Sequence, residues 1–247
     1  MIVESLHEKL LDFYNDLRSQ YYPELEASGI RELYEFKDGI YTAGFLIELL
    51  RSKNCLVPFD QSEFKTYDEF AFITQDLKYT IGMLSIVRPY INNPLREQGT
   101  YRMTFEDHLY LRYSSIGYPY VYAFWDRIGD LLYHYFDTGL KKDQVFIARV
   151  LNNLPNEVKA RVEYHALFEV YDKDVKPALE RRHGIVHDFS LKSETRWKHI
   201  NSYGNPEKME ADYMEKFNYR DNLMALFLSC LKGYRLMLDL IGTITDK

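Results

Sequence analysis

The chain has 247 residues, of which 46% are apolar and 28% charged, and its formal net charge at pH 7 is −6. Its 12 glycines and 8 prolines are few for this length, which disfavours a turn-rich β-sandwich or barrel and favours long helices. The negative charge excludes a protein that binds nucleic acid or anionic lipid over its whole surface, because neutralising phosphates requires an excess of cations. Two cysteines are too few for a disulfide scaffold or a thiolate zinc site.

Apolar residues at intervals of three and four recur along the chain and predict amphipathic helices. The predicted helices cover residues 2–22, 32–50, 70–91, 104–137, 143–152, 155–168, 174–187 and 206–245. A bend is expected near Gly117–Pro119, and the last segment is expected to form one long helix. No stretch alternates in the way that a β-strand does. Because the connections are short, the sequence predicts an all-α, antiparallel multi-helix bundle.

The division into domains rests on weaker signals. The sequence shows no break in composition and no internal repeat. We interpret residues 1–60 as an N-terminal helical extension and residues 61–247 as the bundle, with one continuous domain as the alternative. The N-terminus lacks the apolar core of a signal peptide, and no stretch reaches the roughly 20 apolar residues that span a bilayer. We therefore expect a soluble cytoplasmic protein with no membrane partner.

One window of the chain is basic, although the whole chain is acidic. Residues 176–198 hold six lysines and arginines and three acids, a local charge of +3. Two of the seven histidines, His183 and His187, lie in the same window, and a third, His199, directly follows it. A basic, imidazole-rich segment of this kind is typical of a phosphate-binding site. The alternative is a solvated helix end, where cations interact favourably with the helix dipole.

The centre of this window carries a recognisable motif. Arg182 is followed after four residues by His187, with Ile185-Val186 directly before the histidine. In this the chain resembles the HEPN superfamily (higher eukaryotes and prokaryotes nucleotide-binding), whose signature is an arginine, four to six residues and a histidine. His183 stands where the family usually has Asn or Asp, and it preserves polarity. The helix around Phe124–Leu132 also resembles an aromatic-Asp-x-Ile-x-x-Leu helix of such bundles, and the resemblance covers roughly residues 61–247.

The resemblance implies a helical bundle that forms a homodimer and cuts RNA without a metal ion or other cofactor. His187 would act as general acid or base on the ribose 2′-hydroxyl, and Arg182 would stabilise charge on the phosphoryl oxygens. The products would carry a 2′,3′-cyclic phosphate and a free 5′-hydroxyl. On a regular helix, residues five apart lie about 140° apart, so the site requires either an interruption near Gly184 or motifs from two protomers.

Further residues are assigned around this pair. Arg181, His183 and Lys192 are candidate phosphate or RNA contacts, while Asp188 and Asp126 are candidate supporting residues. The resemblance implies a toxin, phage-defence or stress system, with an antitoxin or regulatory protein as partner. Some family members carry a tyrosine two residues after the histidine, a target of nucleotidylation. Phe189 occupies that position, which argues against regulation by that route.

Two other classes of function stay open. The first is a non-catalytic HEPN-like module that binds a nucleotide or a protein. The second is a helical-bundle metal-binding protein that uses His183 and His187, four residues apart, with His108 or His134 as a third ligand. Gly184 excludes the metalloprotease pattern, which needs a glutamate there. The sequence contains no phosphate-binding glycine loop and no dinucleotide fingerprint, so no cofactor is expected.

Overall fold

The structure is a computed structural model that describes residues 8, 9, 12, 61–93, 103–180 and 190–243. The described residues form helices and short connections without a β-strand, which confirms the prediction of an all-α protein. The helices are α1 (Gln61–Val87), α2 (Phe105–Tyr135), α3 (Ile147–Asn153), α4 (Asn156–Lys159), α5 (Val162–Val170), α6 (Leu191–Ser202), α7 (Pro206–Phe217) and α8 (Tyr219–Gly242). A π-turn, Tyr171–Val175, follows α5, and residues 176–180 are again helical.

Helix α2 is the centre of the bundle. Helices α1 and α8 pack on it over much of its length, and α3 and α6 add further contacts. Trp125 of α2 is fully buried, and it lies so close to α8 that a Cβ on Gly233 would come within 2.5 Å of its ring. Glycine at this position therefore allows the tryptophan to fill the space between the two helices. Among the described residues, no helix combines the length and the apolar character needed to cross a membrane.

Several predicted boundaries differ from those observed. Helix α2 agrees with the predicted helix 104–137 and runs without interruption through Pro119, since buried residues on both sides of the proline hold the helix against its neighbours. The segment predicted as one helix over 155–168 contains two short helices, α4 and α5. Helix α6 was not predicted, because its sequence is mostly polar and its few apolar residues do not recur at intervals of three and four along a whole face. Residues 8, 9 and 12 of the predicted helix 2–22 are helical, and the rest of the predicted extension 1–60, with the predicted helix 32–50, lies outside the described residues. The end of the predicted helix 174–187 lies outside them as well.

The predicted single helix over 206–245 is instead two helices, α7 and α8, which meet at Asn218. The hydroxyl of Tyr110 on α2 explains the break. It donates a hydrogen bond to the carbonyl oxygen of Phe217 at 2.9 Å and accepts one from the backbone N–H of Arg220 at 3.2 Å. In a continuous helix, the Phe217 carbonyl and the Arg220 N–H would form hydrogen bonds within the helix. Here the Tyr110 hydroxyl takes the place of those partners, so the helix can end at this point without unpaired backbone groups. Burial raises the pKa of Tyr110 to about 12, so this hydroxyl keeps its proton.

A buried ion pair joins α7 to the start of α2. The Nζ atom of Lys216 lies 2.8 Å from Oδ1 of Asp107, and both side chains are almost completely buried. Lys216 also donates to the carbonyl oxygen of Asn92, and Asp107 accepts from the backbone N–H groups of Asn92 and Thr104. Burial lowers the pKa of Lys216, and the Asp107 carboxylate opposes this effect. The same carboxylate completes a capping box with Thr104 at the N-terminus of α2.

Replacing Tyr110 with phenylalanine tests the α7–α8 junction. Tyr110→Phe leaves the Phe217 carbonyl and the Arg220 N–H without this partner, so we expect a loss of about 1–3 kcal/mol in the free energy of unfolding. Urea denaturation followed by circular dichroism measures it. Tyr203→Phe, at an exposed tyrosine, is the control and should change stability little. Equal stability of the two variants would contradict the role given to the Tyr110 hydroxyl.

Removing the buried cation should be more damaging. Lys216→Met leaves the Asp107 carboxylate buried without its counter-ion, and we expect a loss of about 3–5 kcal/mol in unfolding free energy. The matched control is Lys198→Met on the neighbouring helix, where Lys198 pairs with Glu194 and Glu215 nearer the surface. That change should cost at most about 1 kcal/mol. A Lys216→Met protein as stable as Lys198→Met in the same denaturation assay would refute this assignment.

Candidate functional site

The segment with the candidate catalytic motif connects two described parts of the chain. The helical stretch before it ends at residue 180, and α6 begins after Ser190, whose hydroxyl oxygen accepts a hydrogen bond from the backbone N–H of Ser193. Five predicted site residues lie outside the described residues, namely Arg181, Arg182, His183, His187 and Asp188. Their assignment, including the pairing of Arg182 with His187, therefore stays a prediction.

The chain approaches the motif through the π-turn Tyr171–Val175. Val175 is fully buried, and the ring of Tyr171 lies 5.8 Å from that of Trp125, so the turn is held against the core. A π-turn within a helical stretch often marks a functional region, because it changes the direction in which the following side chains point. The residues that lead into the motif thus extend from a firmly packed part of the bundle.

Two of the six cations counted in the basic window are paired with acids in the fold. Lys176 pairs with Asp172 at 3.0 Å, and the hydrogen bond that it donates to this carboxylate raises the pKa of the lysine. Lys198 pairs with Glu194 and with Glu215 of α7; although burial opposes it, these two carboxylates raise the pKa of Lys198. Neither lysine is therefore a free phosphate ligand, and the local charge that a ligand would meet is smaller than the sequence count indicates.

The predicted RNA contact Lys192 is available by contrast. It is the second residue of α6, its side chain is half-buried, and it makes no hydrogen bond or ion pair with any part of the chain that the structure describes. Arg196, one turn further along α6, is exposed and shares this property. These two cations therefore remain able to bind an anion beside the candidate motif.

Asp126, the predicted supporting residue, lies on α2 and reaches the start of α3. Its Oδ1 atom accepts a hydrogen bond from the backbone N–H of Ile147 at 3.5 Å. The neighbouring carboxylate, Asp130, pairs with Arg127 at 2.9 Å, and burial raises the pKa of Asp130 against the opposing effect of the arginine. Both carboxylates thus have contacts within the bundle, and any supporting role of Asp126 for the motif stays a prediction.

A groove that the sequence did not reveal lies next to the residues leading into the motif. It has a volume of about 470 Å³, and its lining includes Asp174, Pro177, Ala178, Asn222, Ala225 and Ser229. The hydroxyl of Ser229 lies 3.4 Å from Oδ2 of Asp174 across the groove. The volume suits a small organic ligand, and the carboxylate favours a hydrogen-bond donor over a phosphate. Sequence reasoning missed the groove because its small and polar residues come from helical segments far apart in the chain.

Metal binding and thiol chemistry receive no support from the described residues. In the ranges that the structure describes, no group of three or more His, Cys, Asp or Glu side chains is placed to hold a metal ion. The alternative based on His183 and His187 involves residues outside those ranges. Cys230 is buried, and burial raises the pKa of its thiol, which makes it a poor nucleophile.

Comparison with known proteins adds no relative. No known protein family, no curated protein and no solved structure matches the chain.

Proposed function

We propose that the protein is a metal-independent endoribonuclease of HEPN type, in which Arg182 binds the scissile phosphate and His187 is the general acid or base. The observation that carries this proposal is the Arg182-x4-His187 motif, which lies in an otherwise helical chain. The all-α architecture of the described residues is the class of fold that the motif requires. The π-turn before the motif and the free cations of α6 after it are consistent with a ligand site at this end of the chain.

The chemistry needs only the two residue types of the motif, an imidazole and a guanidinium. A neutral His187 imidazole accepts the proton of the ribose 2′-hydroxyl, and the 2′-oxygen attacks the adjacent phosphorus. The bond between phosphorus and the 5′-oxygen breaks, and an imidazolium donates a proton to that leaving oxygen. Arg182 interacts with the phosphoryl oxygens as their charge grows, and its planar fork matches two oxygens better than a lysine would. The products are a 2′,3′-cyclic phosphate and a 5′-hydroxyl.

A homodimer completes the proposed site. Arg182 and His187 are five residues apart and would point in different directions on a regular helix. Motifs from two protomers of an antiparallel, HEPN-like bundle that meet at a two-fold axis would supply one imidazole as base and a second as acid. Arg181, His183 and Lys192 are proposed as additional phosphate contacts, and Asp188 as the residue that orients an imidazole.

The decisive experiment is cleavage of mixed RNA in EDTA, followed by analysis of the end groups. Wild type should yield 2′,3′-cyclic phosphates, and His187→Ala and Arg182→Ala should each reduce the rate by about a hundredfold or more. His165→Ala and Arg112→Ala, at exposed residues outside the motif, are matched controls and should cleave like wild type. Circular dichroism verifies that each variant is folded. Undiminished cleavage by His187→Ala would refute the proposal.

A second candidate function is a non-catalytic HEPN-like module that binds a nucleotide or a protein. The pairing of Lys176 and Lys198 with acids favours it, because a site with fewer free cations attracts long RNA less strongly. The groove beside Asp174 would accommodate the neutral part of a nucleotide. In the same assay this candidate predicts intact RNA with wild-type protein, together with saturable nucleotide binding measured by calorimetry.

A further inference from the structure

One surface of helix α6 exposes large apolar side chains to solvent. Trp197, Ile200 and Tyr203 are 64%, 56% and 63% exposed. With 100° per residue, Arg196, Trp197 and Ile200 fall within about 100° of one another around the helix, and Tyr203 follows directly at its C-terminal end. We name Arg196, Trp197, Ile200 and Tyr203 the α6 face.

The opposite side of the helix is fixed, so the α6 face cannot turn inward. Leu191 is fully buried and Ser202 almost so, and both lie about 180° from Ile200 around the helix. Lys198 holds α6 to α7 through its ion pair with Glu215 at 2.7 Å. The exposure of the tryptophan is therefore a consequence of how α6 is anchored, and a contiguous exposed apolar surface of this kind marks a binding site.

The unpaired charges of α6 itself favour an anionic ligand. Glu194 is the one acid within α6, and it is paired with Lys198. Arg196 and Lys192 make no hydrogen bond or ion pair with any described residue. Arg88 shows the contrast: its guanidinium lies 3.8 Å from the centre of the Phe217 ring but is paired with Asp221 at 2.7 Å. The α6 face thus combines aromatic rings with cations that have no acidic partner in the described structure, on a chain whose net charge is negative.

We propose that the α6 face is a platform for single-stranded RNA, on which bases stack against Trp197 and Tyr203 while phosphates contact Arg196 and Lys192. Exposed aromatic rings interleaved with cations are how proteins hold single strands without reading their sequence. This inference rests on the proposed function, since α6 begins four residues after His187 and would hold the strand next to the cleavage site. A second copy of the chain is a poorer occupant, because such an interface would gather the unpaired Lys192 and Arg196 of both copies without adding an acid to pair them.

The two tryptophans make the test specific. Trp125 is fully buried and Trp197 is exposed, so a ligand that stacks on the α6 face should quench the fluorescence of Trp197 alone. Binding is measured with a short fluorescein-labelled oligouridine, and tryptophan quenching is measured with the same oligouridine without the label. Both measurements use the full-length His187→Ala protein, in which cleavage is prevented, and we call it the background protein. We expect the background protein to bind the oligouridine saturably and its tryptophan fluorescence to be quenched. The quenching should disappear in Trp197→Ala.

Variants measure the contribution of each side chain. Trp197→Ala should weaken binding about tenfold, and Trp197→Phe should restore most of the affinity because a stacking ring is retained. Arg196→Gln should reduce the slope of log affinity against log salt by about 0.7, the value for one lost phosphate contact on a single strand. Phe72→Ala on α1 and Arg149→Gln on α3 are matched exposed controls and should bind like the background protein.

The results separate this inference from the nuclease proposal. The platform is refuted if Trp197→Ala binds the oligouridine as well as Phe72→Ala does. It is also refuted if sedimentation shows that Trp197→Ala disrupts self-association while RNA binding is unchanged. RNA cleavage by wild type would nevertheless support the nuclease. Conversely, Trp197-dependent binding by a wild-type protein that leaves the RNA intact supports the platform and refutes the nuclease. Failure of the background protein to bind oligouridine overturns the platform, and the cleavage assay then decides the nuclease separately.

Discussion

The ion pair between Lys216 and Asp107 fixes the arrangement of the part of the bundle that leads to the α6 face. Removing two charges from water is costly, so such a pair persists only where the remaining hydrogen-bonding capacity of both groups is satisfied. Here the carboxylate accepts hydrogen bonds from Asn92, Thr104 and Lys216, and the ammonium group donates additionally to the Asn92 carbonyl. The end of the α1 region, the start of α2 and the end of α7 must therefore meet at one point, and a shift of α7 by one residue would leave a charge buried without a partner.

The ion pair between Lys216 and Asp107 also influences the two helices that neighbour α7. Since Lys216 fixes the end of α7, the Tyr110 hydroxyl can take over the backbone groups at Phe217 and Arg220, and α8 begins in a new direction. On the other side of α7, Glu215 holds Lys198 and thereby α6. The position of α6 is thus set by the burial of Leu191 together with the ion pair of Lys198, and the outward direction of Trp197 follows from it. An apolar surface retained in this way has a cost in solvation, which is reasonable where the surface binds a ligand.

The fold also redistributes the charges that suggested a phosphate site. Acids elsewhere on the chain neutralise Lys176 and Lys198, while Lys192 and Arg196 have no such partner among the described residues. The free cations therefore lie on the α6 side of the candidate motif. Because α6 follows the Arg182–His187 motif directly in the sequence, the proposed chemistry and the proposed binding surface belong to neighbouring segments of the chain.

The sequence alone determined the features that depend on neighbours along the chain. The apolar periodicity predicted an all-α protein, Thr104 marked the start of α2, and the Arg182-x4-His187 motif is visible only as a pattern of residues. The tertiary structure decided the features that depend on residues distant in the sequence. These are the break between α7 and α8 at Asn218, the burial of Lys216 in an ion pair with an acid 109 residues away, and the exposure of Trp197. Periodicity states which residues are apolar, but it does not state which helix will cover them. From the sequence alone Lys216 would be predicted to face solvent, and it is buried because the Asp107 carboxylate of another helix pairs with it. Trp197 would be predicted to be buried, and it is exposed because the opposite side of α6 packs against the bundle.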